Sequence, residues 1–186
     1  MEGLHAEIPL FVREREKSAE KSRIAAQAVR FVRDGDTLFL DASSTVFQLL
    51  ELLEPFHNLT VVTNGPKTAL ALAQMHIRTY CTGGLTLNAS LAYVGRQAER
   101  FLHEFNADTM FFSCRGVSEA GKLTDSSMEE AQIRQAMLQN AKNKIFLCDS
   151  SKLLKTYTYT ICTLRSLDAF LCDAPLPAVL QSRLDS

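Results

Sequence analysis

The chain has 186 residues, of which 46% are hydrophobic and 22% are charged, a length and mixture typical of one globular domain. Its formal net charge of −1 lacks the basic excess of nucleic-acid-binding surfaces, so this segment alone is not expected to bind DNA. No apolar run reaches the roughly 18 residues that a membrane span needs, and the first five residues do not resemble a signal peptide. We therefore expect a cytoplasmic protein without membrane contact.

Cysteine and histidine positions argue against a metal centre or a disulfide framework. The five cysteines form no Cys-x-x-Cys pair, and their odd number does not suit a set of disulfides. The four histidines, His5, His57, His76 and His103, lie far apart in unrelated elements. The sequence therefore predicts reduced cysteines, no metal and no cofactor.

Predicted helices and strands alternate along the chain. Apolar residues at helical spacing predict an amphipathic helix over 18–33, which ends at Asp34-Gly35. A strand over 37–41, a hydroxyl-rich turn over 43–45 and a helix over 46–53 follow. The same unit then repeats as a strand over 59–63, the turn Asn64-Gly65-Pro66 and a helix over 68–75.

The remaining elements continue this alternation to the end of the chain. They are predicted strands over 77–81, 109–112 and 144–148, helices over 96–105 and 129–142, two closely spaced strands over 157–163 and 168–172, and a short final helix. Strands of near-continuous hydrophobicity between helices predict an α/β fold, with a mostly parallel sheet and helices on both faces. No linker divides residues 1–186, so we expect a single domain.

Polar or glycine-rich residues follow five of the predicted strands. In open α/β sheets, ligands bind outside the carboxyl ends of the strands, where loops converge and helix N-termini point. These strand ends are Asp41-Ala42-Ser43-Ser44-Thr45, Thr63-Asn64-Gly65, Thr82-Gly83-Gly84, Ser113-Cys114-Arg115-Gly116 and Asp149-Ser150-Ser151-Lys152. A ligand site is therefore expected at this edge.

Each candidate at this edge also has a purely structural interpretation. Hydroxyls and amides of Ser43, Ser44 and Thr45 suit a phosphate or carboxylate, although serine and threonine are also ordinary N-caps. Gly83-Gly84 allows close approach of a ligand, or simply makes a turn.

Charged candidates carry the same ambiguity. Arg115 can bind an anion in bidentate fashion and Lys152 can act as a point charge on phosphate. Either can equally be a solvated cation, and Lys152 can pair with Asp149. Glu129 and Glu130 open a predicted helix, where carboxylates favour the positive dipole end; this structural role is favoured for at least one of them.

Several short motifs, taken in order, resemble the C-terminal sensor domain of DeoR-type repressors over nearly the whole chain. They are Glu20-Lys21 before Ile24-Ala25, Asp34-Gly35-Asp36-Thr37 before Phe39-Leu40-Asp41, Leu59-Thr60-Val61-Val62-Thr63-Asn64, Gly83-Gly84, Gly116-Val117 with Gly121 and Thr124, Glu130-Ala131 with Arg134, and Asp149-Ser150-Ser151-Lys152. The resemblance implies a fold shared with ribose-phosphate isomerases and coenzyme A transferases. It also implies a phosphorylated sugar effector, a homodimer or homotetramer, and DNA contact only through an N-terminal winged helix-turn-helix that residues 1–20 do not supply.

Together, the resemblance and the strand ends give a hypothetical effector site. Its predicted residues are Asp41, Ser43, Ser44, Thr45, Asn64, Gly83, Gly84, Arg115, Gly116, Glu129 and Lys152. Hydroxyls and backbone amides would hold phosphate, and carboxylates would hold sugar hydroxyls. One departure is Asp41-Ala42-Ser43-Ser44-Thr45, which has serine where the family's Asp-Ser-Gly-Thr-Thr turn has glycine, a substitution that restricts φ.

Two other functions remain open. The first is a sugar-phosphate isomerase or coenzyme A transferase-like enzyme on the same fold, with Glu129 as base or nucleophile and Lys152 as electrostatic aid. The second is an oligomerisation module with a vestigial pocket, in which Ser44 marks the loss of binding.

Overall fold

A computed structural model of the chain describes residues 9–184, and its central element is a six-stranded, wholly parallel sheet. With strands numbered along the chain, its members are β1 (Thr37–Leu40), β2 (Thr60–Thr63), β3 (Arg78–Cys81), β6 (Ala107–Phe112), β9 (Ala141–Cys148) and β11 (Ala169–Cys172). Their order across the sheet is β11-β9-β6-β1-β2-β3. The chain thus extends the sheet from β1 in one direction and then returns to extend it from β6 in the other.

Seven helices connect these strands within the described residues. They are α1 (Leu10–Arg15), α2 (Ser18–Ala28), α3 (Ser44–Phe47), α4 (Pro66–Gln74), α5 (Arg96–Leu102), α6 (Met128–Gln139) and α7 (Ala178–Leu184). Short 3-10 turns follow at Val29–Phe31, Leu50–Leu53, Ser150–Lys152 and Leu164–Ser166.

Helices cover both faces of the sheet, because successive strand residues point to opposite sides. Leu38 and Leu40 of β1 belong to a buried cluster with α2, α3 and α4. Phe39, between them, belongs to a second cluster with α5, α6 and α7. The α/β prediction, with a parallel sheet buried on both sides, is confirmed.

Two small antiparallel sheets were not predicted. β4 (Leu85–Thr86) pairs with β5 (Tyr93–Val94), and β8 (Lys122–Asp125) lies between β7 (Gly116–Val117) and β10 (Tyr159–Thr163). The two strands predicted near the C-terminus are therefore present but belong to different sheets, since β11 joins the parallel one. Strands of two residues are too short to show a hydrophobic period, which is why β4, β5 and β7 escaped the sequence pattern.

Four predicted helices were too long at their C-terminal ends. The helix predicted over 96–105 ends at Leu102, and the helix predicted over 46–53 ends at Phe47 and is followed by a 3-10 turn at Leu50–Leu53. The helix predicted over 129–142 ends at Gln139, because Asn140 leaves the helical region at φ −115° and its side-chain amide donates to the Ala136 carbonyl. The chain then enters β9 at Ala141. The helix predicted over 18–33 tightens into a 3-10 turn after Ala28.

All five cysteines are free thiols, as expected. Among residues 9–184, no helix has the length and apolar character needed to cross a membrane. His5 and the predicted lack of a signal peptide at residues 1–5 lie outside the described residues.

Candidate functional site

A cavity of about 210 Å³ opens beside the carboxyl ends of the central strands. Asp41 follows β1 and Ser113 follows β6, and these neighbouring strands lie where the strand order reverses. Loops at such a reversal diverge and leave a crevice, which is the common ligand site of open α/β sheets. The lining residues are Arg13, Glu16, Lys17, Lys21, Ser43, Ser44, Cys114, Arg115, Asp125, Glu130, Arg134, Asp149, Ser151, Lys152, Lys155 and Tyr157. Seven of them are cationic and four are acidic, so positive charge predominates.

Lys152 brings three strand ends together. Its ammonium group donates to Ser113 Oγ at 2.7 Å and to Thr45 Oγ1 at 3.3 Å, and it lies 3.2 Å from Asp149 Oδ2. Burial alone would raise the pKa of Asp149, but the Lys152 ammonium and the Ser151 hydroxyl lower it overall. Lys152 therefore lies at the cavity, where it contacts residues that follow β1, β6 and β9.

A second lysine, Lys21 of α2, reaches the same turn from the opposite side. It is 4% exposed, and its ammonium group donates to Ser44 Oγ at 3.0 Å and to the Arg13 carbonyl oxygen. Burial, together with the nearby charge of Lys152, lowers its pKa from 10.5 to about 8. Two cations thus flank the adjacent residues Ser44 and Thr45.

The hydroxyl-rich turn that these lysines contact is unstrained. Ser43 caps α3, with its Oγ accepting from the Val46 amide at 3.3 Å, and its amide donates to Asp41 Oδ1 at 3.1 Å. Its φ of −77° is available to any residue, so serine in place of the family's glycine costs no backbone strain here. Ser43 therefore both caps α3 and lines the cavity.

Arg134 of α6 is the centre of a buried ionic network. Its guanidinium donates to Asp41 Oδ2 at 2.8 Å and to Asp125 Oδ2 at 3.0 Å, and it lies 3.8 Å from Glu130 Oε1. Burial opposes its charge, but the three carboxylates raise its pKa above the ordinary value. This network joins β1, β8 and α6 beneath the cavity, and its cation is fully compensated.

Arg115 and Gly116 form the side of the cavity nearest to the loop that follows Lys152. Arg115 Nε lies 3.5 Å from Asp125 Oδ1. A Cβ atom at Gly116 would lie 2.5 Å from the Lys155 carbonyl oxygen and 2.9 Å from the Tyr157 ring. Glycine is therefore required here so that this loop can lie against β7 and present Lys155 and Tyr157 to the cavity.

Seven of the eleven residues predicted for the site do not line the cavity, and four of these have other structural roles. Asn64 accepts from the Ala42 amide at 3.1 Å and donates to the Tyr93 carbonyl at 3.0 Å, which ties the turn after β1 to β5. Gly83 and Gly84 lead into β4, and a Cβ atom at Gly84 would lie 2.6 Å from the Val94 carbonyl oxygen. Glu129 is exposed and accepts from Ser127 Oγ at 3.1 Å.

The other seven predicted residues lie at or directly beneath the cavity. Ser43, Ser44, Arg115 and Lys152 line it. Asp41 and Thr45 are buried beneath it, bonded to Arg134 and Lys152 respectively, and Gly116 supports its side.

Sequence reasoning missed Lys21, Glu130 and Arg134 as members of the site. Lys21 lies at helical spacing from Ile24, Ala25 and Ala28, which are all buried. Its position on the inner face of α2 could therefore be predicted from the sequence. Glu130 and Arg134 are one turn apart on α6, a spacing that places both on one face.

Comparison with known proteins decides the family. The family model for the DeoR C-terminal sensor domain matches residues 16–174. The chain belongs to this family. An uncharacterized HTH-type transcriptional regulator of Bacillus subtilis strain 168 is 32% identical over 182 residues, covering 97% of this chain and 70% of that protein. The lactose phosphotransferase system repressor of Staphylococcus epidermidis is 37% identical over 157 residues, covering 83% of this chain and 62% of the repressor.

This DeoR-family sensor domain thus spans about two thirds of the length of its curated relatives. Among solved structures, ribose 5-phosphate isomerase A from Methanocaldococcus jannaschii superimposes with a TM-score of 0.55 at 19% identity, over 74% of this chain and 55% of the isomerase. That likeness establishes the fold and confirms the expectation that it is shared with ribose-phosphate isomerases.

Proposed function

We propose that this chain is the effector-binding module of a sugar-responsive transcription regulator, and that its effector is a phosphorylated sugar. The observation that carries the proposal is the pair of lysines, Lys21 and Lys152, held against Ser44 and Thr45 at the reversal point of the sheet. Two ammonium groups beside hydroxyl donors suit the charge and acceptor oxygens of a phosphate group. Burial and, after it, the charge of Lys152 lower the Lys21 pKa, and a bound phosphate would offset the second of these effects.

The sugar moiety has suitable partners among the other residues that line the cavity. Ser151 and Tyr157 offer hydroxyl groups, and Asp125 and Glu130 offer carboxylate oxygens, which together can bond to sugar hydroxyls. The repressor from Staphylococcus epidermidis is named for lactose, a relation that supports a carbohydrate-derived signal for this chain as well.

We propose binding without turnover. Glu129, the residue that the enzyme hypothesis needed as base or nucleophile, is exposed and bonded to Ser127 outside the cavity lining. Of the four acids that line the cavity, Asp125 and Glu130 contact Arg134, Asp149 contacts Lys152, and Glu16 lies at the bend between α1 and α2. Three of these carboxylates are thus already engaged by cations of the protein rather than positioned as free general bases.

In the whole regulator, we propose that this module controls an attached DNA-binding domain. The relatives' names include HTH-type regulator and repressor, and the chain spans only part of their length. DNA contact would come from a winged helix-turn-helix preceding this module. A homodimer or homotetramer would let the effector act on two such domains at once. The effector changes DNA affinity only if it binds one arrangement of the subunits better than the other.

A thermal-shift series tests the effector class. Glucose 6-phosphate, fructose 6-phosphate and ribose 5-phosphate are compared with the three unphosphorylated sugars and with inorganic phosphate. At a hundredfold excess over Kd, binding should raise Tm by about 5 °C or more. Lys152→Met should abolish that rise. Lys142→Met, an exposed lysine at the opposite end of β9, should retain it.

Two results would contradict the proposal. A rise that survives in Lys152→Met would place the ligand elsewhere, and failure of every phosphorylated compound to raise Tm would favour an assembly module without an effector. Conversion of ribose 5-phosphate by the purified chain would revive the isomerase hypothesis.

A further inference from the structure

The first helix of the described chain forms part of the cavity wall. Arg13 of α1, Glu16 and Lys17 between α1 and α2, and Lys21 of α2 all line the cavity. The wall on this side therefore belongs to a segment that precedes the sheet, whereas the floor belongs to the strand ends.

Several contacts join α1 to the rest of the domain, and three of them concern the cavity side and the neighbouring helices. Leu10 is buried, and its amide donates to the Ala89 carbonyl at 2.8 Å. Glu14 forms a 2.5 Å ion pair with Lys67 of α4. The third contact is made by Lys21, whose ammonium group donates to the Arg13 carbonyl oxygen and to Ser44 Oγ. One side chain thus joins the α1 backbone to the turn that is proposed to bind the effector.

The connection between α1 and α2 is a sharp bend. Glu16 is extended, with φ −70° and ψ 131°, and Lys17 lies in the left-handed region, with φ 56° and ψ 32°. A residue other than glycine seldom adopts this region, so the bend is kept only while surrounding contacts favour it. The orientation of α1 is accordingly sensitive to the contacts made on the cavity side.

An anion in the cavity would strengthen the docking of α1. The charged groups that act on Lys21 are Lys152, Asp149, Arg13 and Glu16, and the two cations among them repel its ammonium group. An anion placed between Lys21 and Lys152 would attract both lysines and draw Lys21, with the Arg13 backbone that it holds, toward Ser44. Such a ligand interacts differently with the docked and released positions of α1, which is the condition for a ligand to shift that equilibrium.

We infer that effector binding fixes α1 against the sensor domain through Lys21, and that α1 is released when the site is empty. This inference rests on the proposed function, because it requires an anion at Ser44 and Thr45. When the cavity is occupied, the bend between α1 and α2 would hold the preceding chain in one direction. Lys21 is then a positioning residue as well as a ligand.

Hydrogen–deuterium exchange of the whole chain tests the inference, with inorganic phosphate as the probe and chloride to keep ionic strength constant. The amide of Glu16 reports on α1, because it donates to the Val12 carbonyl at 3.1 Å. The amide of Val46, bonded to Ser43 Oγ, reports on the binding turn. Saturating phosphate should slow exchange of both amides, by about tenfold at Glu16.

Two variants distinguish the effect of the Lys21 contact from the effects of the other contacts of α1. In Lys21→Met, phosphate at a concentration that again saturates the site should protect Val46 but no longer protect Glu16. In Glu14→Gln, which weakens the ion pair with Lys67, Glu16 should exchange faster with and without phosphate, yet phosphate should still slow it.

Protection of Val46 without protection of Glu16 in the unsubstituted chain would overturn this inference and leave the proposed function standing. Absence of protection at both amides, together with no change in Tm, would overturn both. Protection of Glu16 that persists in Lys21→Met would also overturn the assigned role of Lys21.

Discussion

Two groups of charges meet at the edge of this sheet, and they are compensated to very different degrees. Arg134 is surrounded by Asp41, Asp125 and Glu130, so its charge is neutralised within the protein. Lys152 lies 3.2 Å from Asp149, and Asp149 and Glu16 are the acids that act on Lys21, yet the Lys21 pKa falls to about 8 through burial and the charge of Lys152. Both groups are close to the same cavity, yet only one of them lacks a matching counter-charge.

This difference separates a structural ionic network from a binding one. A buried cation that is paired with several carboxylates needs no further counter-charge. It can then join neighbouring elements, as Arg134 joins β1, β8 and α6. A pair of cations with too little negative charge is unfavourable until an anion arrives, and the ligand then supplies the missing interaction. In the proposed site, the lysine pair would therefore select for an anion, whereas the Arg134 network joins the elements beneath it.

Arg134→Met should have the largest effect, because it leaves three buried carboxylates without their cation. Breaking a buried ion network from one side typically costs about 3–5 kcal/mol in the free energy of unfolding, which corresponds to a fall in Tm of roughly 10 °C for a domain of this size. Urea unfolding and calorimetry measure both quantities. Arg100→Met, an exposed arginine on α5, is the control and should stay close to the unsubstituted protein. A Tm within 2 °C of the unsubstituted protein would show that the network is dispensable.

Lys21→Met should increase the stability of the folded protein, whereas Arg134→Met should decrease it. A depressed pKa means that the charged lysine destabilises the folded protein, and replacement by an apolar side chain of similar length should raise the free energy of unfolding by roughly 1–2 kcal/mol at pH 7 without ligand. The folded state releases this proton near pH 8 and the unfolded chain near 10.5. The cost is therefore full below pH 8 and fades between pH 8 and 10.5.

Thermal unfolding of both proteins from pH 6.5 to 10 measures this change. The advantage of Lys21→Met should be constant at the acidic end and should decline above pH 8, while the same substitution weakens phosphate binding by about tenfold. A difference in Tm that grows with pH would show that Lys21 is stabilised, rather than strained, by its surroundings.

The fold was predictable because its signals are local. Continuous apolar runs such as 144–148, followed by polar motifs, predict buried parallel strands and place their ends at one edge. The binding turn at Ser43 and Ser44 and the cation Lys152 followed from that rule alone. The length of β9 and the small sheet around β8 depend on pairing between distant segments, which no local period records.

Side-chain direction was the part that sequence could not supply. Lys21 shares the spacing of Ile24, Ala25 and Ala28, but a lysine in such a stripe usually extends its ammonium group to solvent. Its inward orientation depends on Ser44 and on the Arg13 carbonyl, which are distant in sequence or belong to another helix. In the same way, the choice between Glu129 and Glu130 depends on the position of Arg134 in the folded structure.

Replacement of Glu129 and Glu130 by glutamine gives the smallest expected effect and tests that choice directly. Glu129 is exposed and distant from the lysine pair, so Glu129→Gln should change the free energy of unfolding by less than about 0.5 kcal/mol and leave effector affinity unchanged. Glu130→Gln removes one of three acids around Arg134, and it should lower stability by about 1 kcal/mol and alter the affinity for phosphorylated sugars. Titration calorimetry with the two variants side by side measures the difference. An affinity that falls in Glu129→Gln and persists in Glu130→Gln would contradict this assignment, because the effector would then depend on the exposed carboxylate of Glu129 and not on the acids around Arg134.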